Sequence, residues 1–268
     1  MEKQHHNKNN LNVQDKNDED WFAETLFFKR IHFKSIDSTN TWAKKNSSQW
    51  LENGMTLITA KEQTAGRGRF NRIWVSPPDD NIYASFCFWI DPDRSDIGHI
   101  PQLLALSLTQ ILSKKSFAPQ IKWPNDILLS KKKVGGILCE TILENNKRGV
   151  ICGIGINVNM PREILEQIDR PATSLLQESG KKGDVTEILA NLQLQFINNL
   201  HVFLNEGFKP FFANYQELLC HKQGDRVRFH NNQAIVEGYF ESVHSDGSVT
   251  LRFFDGQSQK FFSGEFLE

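Results

Sequence analysis

Three arginines and two glycines crowd one short stretch of the chain, Gln63-Thr-Ala-Gly-Arg-Gly-Arg-Phe-Asn-Arg-Ile-Trp74. A guanidinium presents a rigid fork of donors matched to carboxylate and phosphate oxygens. The glycines let the backbone take conformations other residues avoid and let a ligand approach the main chain. The stretch follows an apolar run, Met55 to Ala60, that reads as a strand. A loop of this composition suits closure over a small anion. Taken alone, it is equally a solvated basic turn.

Four further motifs accompany it: Asp37-Ser-Thr-Asn40 upstream, then Lys122-Trp-Pro-Asn-Asp126, Lys133-Val-Gly-Gly-Ile-Leu138 and Gly153-Ile-Gly-Ile-Asn157 downstream. Ser38, Thr39 and Asn40 sit at a strand-to-helix turn. Their hydroxyls and the free backbone N–H groups there can bond a polar head group or simply cap a helix. Gly135 and Gly136 permit close backbone approach to a flat ligand. Pro124 restricts Trp123 to extended geometry, which aims Asn125 and Asp126. No G-x-G-x-x-G opens a helix, which disfavours a dinucleotide-binding fold. In this order, from about Ile31 to the C-terminus, the motifs resemble those of the biotin protein ligases.

The resemblance implies a fold, a reaction and a set of site residues. Biotin's carboxylate would be activated by ATP as an acyl-adenylate and then passed to a lysine of a biotin carboxyl carrier protein of acetyl-CoA carboxylase. Arg67, Gly68 and Arg69 would cover biotin, with Gln63 against it and Ser38, Thr39 and Asn40 at its ureido ring. Lys133, before the Val-Gly-Gly step with Gly135 and Gly136, would reach both the biotin carboxylate and the α-phosphate; Lys131 and Lys132 read as a solvated turn. Arg69, Arg72, Trp74, Lys122, Asn125, Lys133 and Asn157 would serve the nucleotide, and Mg²⁺ would accompany it. Lys133, Arg67 and Lys122 are the catalytic candidates. Asp126 is open between metal binding and deprotonation of the acceptor lysine, and Phe70 and Asn71 depart from some family members. Gly153 and Gly155 would pass close to ligand.

The composition agrees with an enzyme of ordinary globular type. The 268 residues carry 31 basic and 32 acidic side chains for a net charge of -1, which argues against a polybasic nucleic-acid surface. No apolar run approaches a membrane span. The four cysteines, Cys87, Cys139, Cys152 and Cys220, form no C-x-x-C pair and read as buried thiols of a reducing cytoplasm. The eight histidines show no metal-ligand spacing, so no protein metal site is expected. No nucleophile–base pattern emerges, so a covalent acyl-enzyme is not required. The rivals are a lipoate or octanoate ligase or transferase of related fold, a biotin-responsive DNA-binding regulator, and a plain interaction module. Lipoate's apolar tail would not need the polar Ser-Thr-Asn turn. The polar N-terminal stretch holds no paired amphipathic helices for a helix-turn-helix, so specific DNA binding is not expected. Monomer and homodimer are both left open.

Periodicity then supplies the frame. Strands are expected over Leu26 to Phe33, Asn81 to Ile90 with one face buried, Lys122 to Leu129, Val134 to Leu143 and Gly149 to Val158. Helices are expected over Thr41 to Ser48, Pro101 to Lys115, Val185 to Phe203 and Phe208 to Leu219. From Gln223 four short strands separated by Asn-Asn, Asp-Gly and similar turns suggest a small barrel without a basic–aromatic stripe. The expectation is an α+β fold, a mixed sheet flanked by helices, followed by an SH3-like β-barrel. Residues 1–25 read as a flexible polar tail, 26–220 as the catalytic unit and 221–268 as the barrel.

Overall fold

The computed structural model describes residues 28–78 and 80–267; the expected tail over 1–25 lies outside them. The first sheet has seven strands: β1 (Phe28–Ile36), β2 (Met55–Gln63), β3 (Ile82–Ile90), β4 (Gln120–Lys122), β5 (Asp126–Leu129), β6 (Lys132–Glu144) and β7 (Lys147–Ile156). Their order is β1-β2-β3-β7-β6-β5-β4, with β1 and β2 parallel and the other neighbours antiparallel. The helices are α1 (Thr39–Lys45), α2 (Ile100–Lys114), α3 (Arg162–Leu165), α4 (Leu175–Ser179), α5 (Val185–Glu206) and α6 (Phe212–Leu218). The second sheet comprises β8 (Arg226–His230), β9 (Ile235–Val243), β10 (Val249–Arg252), β11 (Ser258–Phe261) and β12 (Glu265–Leu267). The mixed sheet with flanking helices is the expected architecture.

The middle of the first sheet is covered on both faces. Alternation along β3 sends Phe86 and Phe88 toward Phe196 of α5, at 5.1 and 6.4 Å between ring centroids. It sends Ser85 toward α1 and Trp89 against Trp50, at 5.0 Å. The expectation of one buried face on β3 is therefore corrected, because α1 and Trp50 cover the side opposite α2 and α5. The expected strand Lys122 to Leu129 is also corrected. It folds back at Trp123-Pro124-Asn125, so that Lys122 pairs with Asp126 across a hairpin; the Trp123–Pro124 bond is cis. Helix α1 begins two residues before its expected start, with the Ser38 hydroxyl accepting from Thr41 N at 3.4 Å.

The second sheet is antiparallel, in order β11-β10-β9-β8-β12, and its ladder does not close. Phe229 nevertheless meets Phe261 of one edge strand at 4.9 Å and Phe266 of the other at 5.0 Å, so the sheet curls about an aromatic core. β12 is a fifth strand absent from the sequence expectation. On the outer face, register places Tyr239 between Arg226 and Arg252, with Phe254 edge-on at 5.6 Å. This short basic–aromatic row was not anticipated; Glu237 offsets Arg226 at 3.1 Å. Trp123 Nε1 donates to Gly247 O at 2.8 Å and Gln102 Nε2 to the same carbonyl at 3.0 Å, which seats the second sheet on the first.

Candidate active site

One cavity of about 550 Å³ opens where β6 and β7 pass under the arginine loop. Its floor is made of glycine because larger residues would not fit. A Cβ on Gly155 would stand 2.3 Å from the Trp74 indole, and one on Gly153 would stand 2.1 Å from Asn40 Oδ1. Gly136 pairs directly with Gly155, and a Cβ there would lie 2.9 Å from Lys133 Cε. Gly135 is different. Successive strand residues point to opposite faces, and its missing Cβ would meet Leu108 Cδ2 at 3.4 Å and Ile127 Cδ1 at 3.8 Å. Gly135 therefore faces the core and does not line the cavity.

One end of the cavity is polar and almost uncharged. Asn40 Nδ2 donates to Leu138 O and to Glu140 Oε2, each at 3.0 Å, and Ser85 Oγ donates to Asn40 Oδ1 at 2.6 Å. Gln63 Oε1 accepts from Thr39 N at 2.9 Å, while its Nε2 donates to Ser76 Oγ at 3.1 Å. Ser38, Asn40 and Gln63 line the cavity. Thr39 does not; its backbone N–H and hydroxyl bond Gln63 and Ser85. Ser85 and Glu140 were missed, since neither sits in a motif.

The loop folds into a tight hairpin. Gly68 N donates to Arg72 O at 2.7 Å and Trp74 N to Gly66 O at 2.9 Å. Phe70 and Asn71 at its tip both take left-handed φ, 58° and 56°, an uncommon state for side-chain-bearing residues. The Phe70 ring lies under the Arg69 and Arg72 guanidiniums, 4.9 and 5.3 Å from its centroid, and edge-on to His230 at 5.9 Å. Each arginine has an acceptor, which offsets the mutual repulsion of the three. Arg67 meets Glu140 at 3.0 Å. Arg69 donates to Gly264 O at 3.0 Å and Asn125 Oδ1 at 3.4 Å, and Arg72 pairs with Glu265. Burial lowers the Arg69 pKa, against the opposing pull of Glu265 and Asp126.

The other end is cationic. Lys133 Nζ lies 2.6 Å from Asp126 Oδ1 and over the Trp74 ring at 5.4 Å. Its backbone is clamped on both sides: Lys133 N donates to Pro171 O and Thr173 N to Lys133 O, each at 2.9 Å. Lys122, Arg69, Arg72 and Arg170 line the same space. Asn125 Nδ2 donates to Ile137 O, which points its oxygen at Arg69. Asn157 is 3% exposed, and its Nδ2 donates to Thr173 O at 3.0 Å, so it ties the end of β7 to the 167–173 strap while lining the cavity. That strap, with Arg170, and Glu265 from β12 carried no signal in the sequence.

Among the described residues no three His, Cys, Asp or Glu side chains group as a metal site. None of the four cysteines lines the cavity. Burial pushes the Cys87 and Cys152 thiols well up and Cys220 up to about 11, which leaves no thiolate for acyl transfer there at neutral pH. No described helix is long and apolar enough to cross a membrane.

The biotin/lipoate A/B protein ligase family matches residues 32–157. A Bacillus subtilis bifunctional ligase/repressor BirA is 34% identical over 67% of this chain, and the match spans 56% of that protein's length. The biotin–[acetyl-CoA-carboxylase] ligase of Paracoccus denitrificans is 29% identical over 81% of this chain and 91% of its own. The biotin protein ligase of Aquifex aeolicus, solved in complex with biotin and ATP, is 32% identical, with a TM-score of 0.75 over 89% of this chain and 97% of that one. On agreement of that extent, the chain belongs to the biotin protein ligase family.

Proposed function

We propose that the protein is an ATP-dependent biotin protein ligase that forms biotinyl-5′-AMP and transfers biotin to a lysine of a biotin carboxyl carrier protein, that of acetyl-CoA carboxylase. The observation that carries the reading is the polarity of the cavity under the arginine loop. An uncharged hydrogen-bonding end at Ser38, Asn40 and Gln63 faces a cationic end at Lys133, Lys122, Arg69 and Arg72. The first suits a ureido ring and the second a carboxylate meeting a polyphosphate.

In the first step a biotin carboxylate oxygen attacks the α-phosphorus, and the bridging oxygen to the β-phosphorus leaves with pyrophosphate. Lys133 stabilises the charge gathering between carboxylate and phosphate, because its clamped backbone and Asp126 hold the ammonium in place before substrate arrives. In the second step the acceptor amine attacks the acyl carbon, AMP leaves, and the amine gives up its proton. Arg67, Gly68 and Arg69 screen the mixed anhydride from water. Mg²⁺ ordinarily keeps several waters and binds one or two carboxylates with substrate phosphates. Asp126 would hold such an ion, which would offset the charge of the nucleotide phosphates. We place the enzyme in the cytoplasm, with residues 26–220 as the catalytic unit and 221–268 as the C-terminal one. Incubation of the full chain with biotin, radiolabelled ATP and a carrier domain should yield labelled adenylate and biotinylated carrier. Turnover of lipoate but not biotin would reject the reading in favour of a lipoate ligase.

A further inference from the structure

Arg72 of the loop faces a carboxylate that has no part in the chemistry above. Glu265 stands 193 residues from Arg72 in the chain and reaches the cavity from β12 of the second sheet. Both its oxygens accept from Arg72, and one lies 3.6 Å from Arg170 NH1. The side chain is only 15% exposed. One residue earlier, the Gly264 carbonyl takes Arg69 at 3.0 Å. Three guanidiniums from two separate segments of the catalytic unit thus converge on two consecutive residues of the C-terminal strand. A carboxylate and a phosphate present arginine with the same pair of oxygens.

Resting on the ligase reading, we propose that Glu265 is an internal stand-in for the nucleotide's polyphosphate, and that Arg170 is the third cation of that subsite beside Arg69 and Arg72. The β- and γ-phosphates displace the Glu265 carboxylate and inherit its arginines. While the subsite lacks nucleotide, the carboxylate keeps the Arg72 and Arg170 cations from repelling one another. When nucleotide enters, β12 is released from both. The C-terminal unit is thereby coupled to nucleotide occupancy. A nucleotide that binds only the released fraction has its affinity reduced by that fraction, and a part-exposed ion pair sets a modest fraction rather than a block.

The test is calorimetric titration of the full chain with inorganic pyrophosphate alone. Glu265→Gln should tighten pyrophosphate about fivefold, and Arg170→Ala should weaken it by a similar factor. The KM for ATP should move in the same sense in each variant, while affinity for biotin measured without nucleotide stays unchanged. Weaker pyrophosphate binding by Glu265→Gln would overturn the stand-in role, and unchanged binding by Arg170→Ala would remove Arg170 from the subsite. Should Glu265→Gln fail to fold, the wild-type chain still decides the matter. Saturating pyrophosphate should speed hydrogen exchange over residues 264–267, and slowed or unaltered exchange there overturns the proposal. Pyrophosphate binding of this kind without adenylate formation from biotin and ATP would leave the subsite intact and reject the ligase reading instead.

Discussion

Gly153→Ala should damage the polar end of the cavity by a route that can be worked out in advance. The new methyl would stand 2.1 Å from Asn40 Oδ1, 2.8 Å from Cγ and 3.0 Å from Nδ2. Ordinary contact begins near 3.4 Å, so the Asn40 amide must retreat by about 1.3 Å. It has nowhere to go without losing partners, being 4% exposed and bonded to Leu138 O, Glu140 and Ser85. Ser85 keeps the Thr39 hydroxyl 2.7 Å away, but the Asn40 amide oxygen and nitrogen lose their partners. Each buried orphan costs roughly 1–3 kcal/mol, so a loss of about 3 kcal/mol is expected. For a chain of this size that lowers Tm by roughly 6–12 °C. Affinity for biotin should fall at least about tenfold, or roughly 1.4 kcal/mol. Urea unfolding and biotin calorimetry read the two effects. Gly98→Ala is the control, since nothing lies within 4 Å of its Cβ position. In an Asn40→Ala background the clash is gone, and a coupling of about 2 kcal/mol should appear in the double-mutant cycle. A Gly153→Ala protein within about 0.5 kcal/mol of wild type, or strict additivity in the cycle, would refute the argument.

Lys133→Ala should abolish adenylate formation while leaving a folded protein, because the lysine backbone bonds to Pro171 and Thr173 survive; pyrophosphate exchange at the wild-type rate would remove Lys133 from the chemistry. Burial, then the Lys122 charge, depresses His221 to about 4. The unfolded side chain titrates near its ordinary 6.5, so the native state holds its full stability above that pH and loses it as pH falls from 6.5 toward 4. Unfolding at pH 7 and pH 5 should differ by about 2 kcal/mol through this residue, and His221→Gln should flatten the difference; an unflattened profile would clear His221. Cys139→Ser and Cys152→Ser, each as a folded variant, should keep normal adenylate turnover, since neither thiol reaches the cavity; lost turnover would revive an acyl-cysteine intermediate.

Local chemistry was legible without coordinates. An arginine–glycine loop, a lysine before paired glycines and a Ser-Thr-Asn cap carry their meaning in residue type and spacing, and strand and helix periods gave the α+β frame. What lay beyond reach depends on parity, turns and distance. Gly135 and Gly136 are adjacent in the chain, yet strand alternation sends one to the core and one to the cavity. The fold-back at Trp123-Pro124-Asn125 is a turn hidden inside an apolar run that reads as one strand. Ser85, Glu140, Arg170 and Glu265 belong to no motif. They reach the site through sheet register, a strap and a second sheet, and such contacts depend on how distant segments pack rather than on any short-range pattern. The loop arginines and Lys133 were therefore written in the sequence, while Glu140 and Glu265, which hold Arg67 and Arg72, were chosen by the tertiary structure.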